Sequence, residues 1–309
     1  MSGQPLIDVL ALAGSLFNTL LLVWLGLTVL FNAESRTWGV LLAAAGLLVG
    51  AVFFLGHSVL LIQGAGSLIG NFGFWWNAGW LPLIAAPLSW YLLMLWYGGY
   101  WDARDSALRR RQTFWLYITL VFTFLLAVLT LLVNPLSELD QVTYAEAGRV
   151  IISGSIPPIL LLYPLFILLN IGLSLDALLR PAPSRRPMGE LARKRARPAL
   201  VGASVVLLAV STLVGIFFAF LVLPILPASA RALIPELDQD SIAILAAFDL
   251  VLTVMISLVV LLVGQAIVSY EIFTGRTLPR RGFIRQWRLT VLLAAVLSLL
   301  TAVGVGSDL

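Results

Sequence analysis

The chain alternates from end to end between long runs of apolar residues and shorter polar connections. Eight of the apolar runs have the length that a helix needs to cross a bilayer. They cover about residues 6–31, 39–63, 78–100, 113–133, 156–179, 199–226, 242–270 and 289–305. This pattern predicts an all-α polytopic membrane protein, a bundle of about eight transmembrane helices that forms a single domain over residues 1–309.

The charged residues of the connections predict how the chain is threaded. Arg and Lys number one after span one, four after span three, seven after span five and five after span seven, which is 17 of the 19 in the chain. The opposite connections hold Arg149 and Arg231 together with six carboxylates. Basic connections stay in the cytoplasm. We therefore expect a multi-pass protein of the plasma (inner) membrane, with the N-terminus outside and the basic loops cytoplasmic.

Composition narrows the classes of function. Hydrophobic residues make up 61% of the chain and charged residues 11%, against about 25% charged in soluble domains. The net charge of +4 comes from arginines between apolar runs, so we expect these arginines to contact anionic lipid headgroups and not nucleic acid. The absence of cysteine excludes disulfides, thiolate catalysis and cysteine-ligated metals. We predict neither a metal nor a cofactor.

His57 and Asp249 are the polar residues within the spans that are the strongest candidates for a functional site. His57, the only histidine, suits a proton relay, a pH sensor or a structural hydrogen bond between helices. A bis-histidine haem is excluded within one chain. Asp249 lies two turns inside span seven, where a charge is costly unless it is paired or hydrated. It is either a contact for an ion or ligand, or a buried group paired with Asn18, His57 or a backbone group.

Serine hydrolysis is not expected from the sequence. Ser58 follows His57 directly, and adjacent positions on a helix do not face each other. No second histidine is present to act as the base. We therefore predict that the protein is not an enzyme.

Tryptophans at the start of span three suggest a second part of the site. Trp75, Trp76 and Trp80 precede or open this span, and they fit either an interfacial aromatic belt or the wall of a ligand site. We hypothesise an external cavity among spans two, three and seven, with Asp249 at the level of these tryptophans. His57 is expected deeper, near the inner half of span two.

The connection between spans seven and eight carries a resemblance to a known group. Over Gly264–Arg288 the chain reads GQAIVSYEIFTGRTLPRRGFIRQWR. This segment resembles one in the multi-span N-terminal input region of bacterial signalling proteins, with these residues as its carriers: Gly275, Leu278, Pro279, Arg280, Arg281, Gly282, Arg285 and Trp287. The resemblance implies a sensory membrane module that is followed by GAF or histidine-kinase domains. Elsewhere it rests on the number and length of the spans.

The same connection supplies a hypothesis for coupling. Glu271 ends span seven, and Arg276, Arg280 and Arg281 follow it closely. We expect Glu271 to pair with one of these arginines and to fix the angle between spans seven and eight. The alternative is that the arginines only hold phospholipid headgroups.

Three classes of function stay open from the sequence alone. The first is a non-catalytic sensory or signal-transducing module, whose partner is a cytoplasmic signalling domain or another membrane subunit. The second is a small-solute transporter or permease, indicated by Asp249 and by the prolines that open span five. The third is a structural or quinone-contacting subunit of a membrane complex.

Overall fold

The protein is described by a computed structural model over residues 5–33, 37–63, 72–102, 105–133, 158–183, 189–222, 240–270 and 280–307. These ranges contain eight α-helices and no strand. The helices are α1 Pro5–Asn32, α2 Trp38–Gln63, α3 Phe72–Gly98, α4 Ala107–Val133, α5 Pro158–Leu179, α6 Gly189–Val222, α7 Asp240–Tyr270 and α8 Arg280–Ser307. The predicted all-α fold is confirmed.

All eight helices are long and apolar enough to cross a membrane. The protein is thus a multi-pass integral membrane protein. The helices differ most from the predicted spans at the starts of α6 and α8, and α8 begins at Arg280 and holds a span of 23 residues over Ile284–Gly306. The sequence placed its start at Leu289 because Arg285 and Arg288 were assigned to a loop. Arginines continue a helix well and extend their charged ends toward the headgroups.

Helix contacts follow a closed cycle of six elements. In order of contact these are α1, α2, α3, α5, α6 and α7, and α7 packs again on α1. The helix α4 lies outside this ring against α3 and α5, and α8 lies outside against α1 and α7. Both outer helices leave wide apolar faces uncovered, as at Phe124 and Leu300, which are 71% and 65% exposed. Such faces suit contact with lipid.

The helix α1 is closely packed at the centre of one side of the ring. It contacts α2, α7 and α8 at once, and its residues Leu21, Leu25 and Val29 are completely buried. Gly14 allows the close approach to α7, since a Cβ there would lie 2.6 Å from Thr253 Cγ2. The groups that α1 buries therefore face α2 on one flank and α7 on the other.

The two ends of the bundle differ in charge. We call "basic end" the end at which α3 and α5 finish and α4 and α6 begin, because Arg109, Arg111 and Arg193 lie there. Arg193 donates to the carbonyl oxygen of Ala182 at 3.1 Å, and the Ala182 amide donates to the carbonyl oxygen of Gly98 at 2.8 Å. These bonds satisfy backbone groups at or just beyond helix ends that would otherwise lack hydrogen-bond partners.

Candidate functional site

Polar side chains from α1, α2 and α7 meet in the half of the bundle away from the basic end. We call these residues the polar cluster: Ser15, Asn18, His57, Ser58, Asp249 and Thr253. Ser15 and Asn18 are one turn apart on α1, and Asp249 and Thr253 are one turn apart on α7. Their spacings of three and four residues put each pair on one helix face. Most other residues of these helices are apolar, so the cluster is a polar region inside an apolar bundle.

His57 and Asp249 are in direct contact across α2 and α7. His57 Nε2 lies 3.1 Å from Asp249 Oδ1, and the two side chains are 20% and 33% exposed. The pairing of Asp249 with His57 was one of the alternatives that the sequence left open. The expectation that His57 lies deeper in the membrane than Asp249 is wrong. His57 lies within the last two turns of α2, which ends at Gln63, and it is level with Asp249.

A chain of hydrogen bonds continues from His57 to α1. Ser15 Oγ lies 3.2 Å from His57 Nδ1. Ser15 also donates to the carbonyl oxygen of Phe54 at 2.9 Å, and Ser58 lies 2.9 Å from Ser15 Oγ and 2.8 Å from the same carbonyl. Ser15 is completely buried and Ser58 is 2% exposed. One imidazole thus connects a carboxylate on α7 to a hydroxyl on α1.

These distances accommodate two arrangements of protons. If Nδ1 of His57 carries a proton, it donates to Ser15 Oγ, and Ser15 donates to the Phe54 carbonyl oxygen. If Nδ1 is bare, Ser15 donates to it and Ser58 donates to the Phe54 carbonyl oxygen instead. Each hydroxyl has one proton and two lone pairs, so both arrangements satisfy the groups involved. The protonation of His57 therefore decides how the hydroxyls of α1 and α2 are oriented.

Two oxygen atoms of the polar cluster have no hydrogen-bond partner among the described residues. Asn18 Nδ2 donates to the carbonyl oxygen of Thr253 at 3.3 Å, but the buried Asn18 Oδ1 has no donor. Asp249 Oδ2 is likewise buried without a donor. An acceptor left unsatisfied in an apolar interior is costly. The cluster therefore has unused capacity for a donor or a cation.

The predicted tryptophans divide between two places. Trp75 packs on α2 at Gly56, the residue before His57, since a Cβ on Gly56 would lie 3.5 Å from Trp75 Cε3. Trp80 is 5% exposed and packs at 5.8 Å against Tyr163 in an apolar cluster of α3, α4 and α5. The side chain of Trp76 lies outside the described part of the chain. The expected site among spans two, three and seven stays a prediction, and the polar cluster adds α1 to the helices that meet there.

The predicted coupling connection is described only in part. Glu271 and Arg276 lie outside the described residues, and Arg280 and Arg281 open α8 with side chains that also lie outside them. A different link joins α7 and α8. Trp287 is 5% exposed and covers Gly264, where a Cβ would lie 2.3 Å from its ring. Trp287 also packs on Trp24 of α1, with ring centroids 5.5 Å apart.

The basic end holds a second carboxylate that the sequence did not single out as a site. Asp176 of α5 accepts from Arg111 Nε at 2.7 Å and from Gln112 Nε2 at 2.5 Å, both on α4. Tyr91 of α3 donates to Gln112 Oε1 at 2.8 Å. The neighbouring Arg180 Nη1 lies 3.8 Å from Asp176 Oδ1. This network fastens three helices together at the basic end.

The order of hydroxyl, imidazole and carboxylate in the polar cluster is that of a serine hydrolase. In such an enzyme the serine oxygen must reach a substrate carbonyl beside an oxyanion site. Ser15 is completely buried, and its Oγ is surrounded by the Phe54 carbonyl, Ser58 and His57. The arrangement suits the movement and storage of a proton and not attack on a substrate.

Sequence reasoning missed Ser15 and Thr253 as members of the site. The signal was present, because polar residues recur every three or four positions on two largely apolar helices. They are Ser15 and Asn18 on the first, and Asp249, Thr253 and Ser257 on the second. Nothing in the pattern shows which stripes face one another. No family model, curated protein or solved structure matches this chain. The site must therefore be interpreted from its own geometry.

Proposed function

We propose that the protein is a non-catalytic membrane sensory module that receives its input at the polar cluster. The observation that carries this proposal is the contact between His57 and Asp249, which joins α2 to α7 inside the apolar bundle. Ionisable residues at such positions are costly and usually functional. Imidazole is also the side chain that ordinarily changes charge between about pH 5 and 8.

A change in charge at this contact alters the force between two helices. A protonated His57 attracts the Asp249 carboxylate as an ion pair, whereas a neutral His57 offers it a single hydrogen bond. The attraction between opposite charges is strong in a low-dielectric interior. Proton binding therefore favours the arrangement that holds α2 and α7 together, and it also reorients Ser15 on α1. A ligand that interacts differently with two arrangements shifts their populations.

The packing of α7 offers a route from the cluster to the basic end. Asp249 lies near one end of α7 and Gly264 near the other, and Gly264 is tightly covered by Trp287 of α8. A tilt or shift of α7 must therefore displace Trp287 and its neighbour Trp24. Because the sequence predicts that this end faces the cytoplasm, a signalling domain or another membrane subunit there would receive the change.

The test measures whether a proton at the cluster moves the basic end. Spin labels are placed on Arg110→Cys and Arg285→Cys, two exposed positions on α4 and α8, in a chain that has no cysteine of its own. In lipid nanodiscs, a step from about pH 8 to pH 5 should change the mean label distance by about 1–2 Å or more, the size of helix shifts in known switches. Double electron–electron resonance measures that distance.

Asp249→Asn should abolish this response, and Asp8→Asn should leave it intact. Asp8 is the matched control, because it is a half-buried carboxylate toward the same end of α1. If the distance between the two labels does not change with pH in the labelled chain without any further substitution, the proposal is overturned. A response that survives in Asp249→Asn would also overturn it.

Proton- or cation-coupled transport is the second candidate. Asn18 and Thr253 extend the polar cluster toward the middle of α1 and α7, which is where transporters place their sites. In contrast, α3 and α5 continue as helices through Pro82, Pro87 and Pro164. Proteoliposomes containing a pH dye distinguish the two: sustained proton flux that is lost in Asp249→Asn supports transport, and a change in label distance without flux supports sensing.

A further inference from the structure

The end of α5 carries more positive charge than its carboxylate can neutralise. Arg111 Nε of α4 lies 2.7 Å from Asp176 Oδ2, and Arg180 Nη1 lies 3.8 Å from Asp176 Oδ1. Arg197 of α6 donates from Nη2 to the carbonyl oxygen of Leu179 at 2.6 Å. Three guanidinium groups therefore meet one carboxylate at this helix end, which leaves an excess of two positive charges.

The same guanidinium groups have hydrogen-bond donors to spare. The side chain of Arg180 is 70% exposed, and its distance of 3.8 Å from Asp176 is longer than a hydrogen bond. Arg111 Nη2 is buried and has no acceptor among the described residues. Each guanidinium group carries five N–H donors, so the protein uses only some of them. The excess charge and the unused donors both indicate an anion as the ligand.

These arginines lie at the level of the lipid headgroups. The membrane-spanning part of α5 ends at Leu179, so Arg180 is the first residue beyond it. The helix α5 contacts α4 on one flank and α6 on the other, and these two helices supply Arg111 and Arg197. Basic pockets between transmembrane helices on the cytoplasmic side bind the headgroups of anionic lipids. The charge asymmetry of the sequence predicts that this end is cytoplasmic.

The surface of α5 next to these arginines has room for an acyl chain. Gly172 is exposed and lies one turn before Asp176, so the two residues share a helix face. A Cβ on Gly172 would meet no atom within 4 Å. On the same face Leu165, seven residues earlier, is 59% exposed. Gly172 is therefore a notch in a surface strip of α5 that runs from Asp176 toward the middle of the membrane.

We infer that one anionic phospholipid binds at this end of α5, with its phosphate held by Arg180 next to Arg111 and Arg197. One of its acyl chains lies along the notch at Gly172. Arginine suits phosphate because its planar group donates two parallel hydrogen bonds to the phosphate oxygens. A lipid with a net negative charge reduces the excess positive charge, whereas a zwitterionic lipid brings a cation of its own. Free phosphate would use the arginines but leave the notch unfilled.

The first measurement is lipid binding to the full chain in a non-ionic detergent, followed by native mass spectrometry. Phosphatidylglycerol is compared with phosphatidylcholine that has the same acyl chains. One phosphatidylglycerol should bind at least about tenfold more tightly, or about 1.4 kcal/mol. Arg180→Gln should weaken this binding about fivefold, the usual contribution of one arginine near an anionic lipid surface. The matched control is Arg285→Gln, which removes an exposed arginine of α8 at the same end and should leave the affinity unchanged.

Equal losses in Arg180→Gln and Arg285→Gln would overturn the inference, because net charge alone would then explain them. Equal affinities for phosphatidylglycerol and phosphatidylcholine would also overturn it. An excess of inorganic phosphate should not displace the bound lipid. Displacement would show that the arginines recognise free phosphate, and it would reject the lipid as the ligand.

The second measurement tests the notch, and it decides the matter if Arg180→Gln does not fold, judged by gel filtration and circular dichroism. Gly172→Leu places a side chain in open space, so the fold should be kept. It should weaken phosphatidylglycerol binding at least about threefold, the contribution of about one buried methylene group. The matched control is Gly304→Leu, because Gly304 of α8 is also exposed and a Cβ there would meet no atom within 4 Å.

Unchanged affinity in Gly172→Leu would reject the site, and so would an equal loss in Gly304→Leu. The inference stands apart from the proposed sensory function, because none of these residues belongs to the polar cluster. A label distance that does not respond to pH, together with selective phosphatidylglycerol binding, would reject the sensor alone.

Discussion

The side chains of Asp176 and Asp249 are exposed to a similar extent, at 27% and 33%, but the partners of their carboxylates differ. Asp176 accepts two close hydrogen bonds, from Arg111 and Gln112, and has Arg180 nearby. Among the described residues, Asp249 has one partner, His57, and one oxygen without a donor. Arginine stays charged at every physiological pH, whereas histidine can lose its proton. The first arrangement is a fixed clamp, and the second is able to change state.

The largest expected effect is a difference in reagent accessibility, because the basic end and the opposite end should lie on opposite sides of the membrane. Single cysteines at Arg110, near the clamp, and at Glu138, in the acidic connection after α4, should behave in opposite ways. In intact cells a membrane-impermeant thiol reagent should label Glu138→Cys and leave Arg110→Cys unlabelled, because basic connections stay inside. Permeabilised cells provide the control, in which Arg110→Cys becomes reactive. The reverse pattern would overturn the predicted threading.

The next effect is on stability. Asp176→Asn removes the acceptor of Arg111 and leaves a partly buried guanidinium uncompensated, so we expect a loss of about 2–3 kcal/mol. Asp249→Asn leaves a histidine that can become neutral instead of staying an unpaired charge, and the free energy of unfolding should change by no more than about 1 kcal/mol, the usual net value of one hydrogen bond. Thermal unfolding of both variants in one detergent measures the difference. A larger loss for Asp249→Asn than for Asp176→Asn would contradict the distinction between clamp and switch.

The smallest effect separates members of the clamp. Arg180 is 70% exposed and its Nη1 lies 3.8 Å from Asp176 Oδ1, one turn away on the same chain segment. Pairs of this kind contribute about 0.3–0.5 kcal/mol. Arg180→Gln should therefore barely move the melting temperature, whereas Arg111→Gln should lower it clearly. Equal losses for the two substitutions would show that net charge, and not the bonds from α4, holds Asp176.

Sequence pattern predicted the eight spans well because each must be apolar over a length set by the bilayer. It failed at the ends of α4, α6 and α8, where arginines extend the helix beyond the apolar run, as Arg285 and Arg288 do. It also named both members of the His57–Asp249 pair. Their contact with Ser15 could not be predicted, because the rotation of one helix against another depends on packing such as that of Gly14 on Thr253.

The position of α1 between α2 and α7 has a consequence for how the protein is made. Ser15 finds its partners on α2 about 40 residues later in the chain, whereas Asn18 must wait for Thr253, which is 235 residues away. At a synthesis rate of about 5–20 residues per second, that delay is roughly 12–47 seconds. During this time a buried amide of α1 has entered the membrane before its partner exists. We therefore expect α1 and α2 to stay at the insertion machinery, or under a membrane chaperone, until α7 arrives.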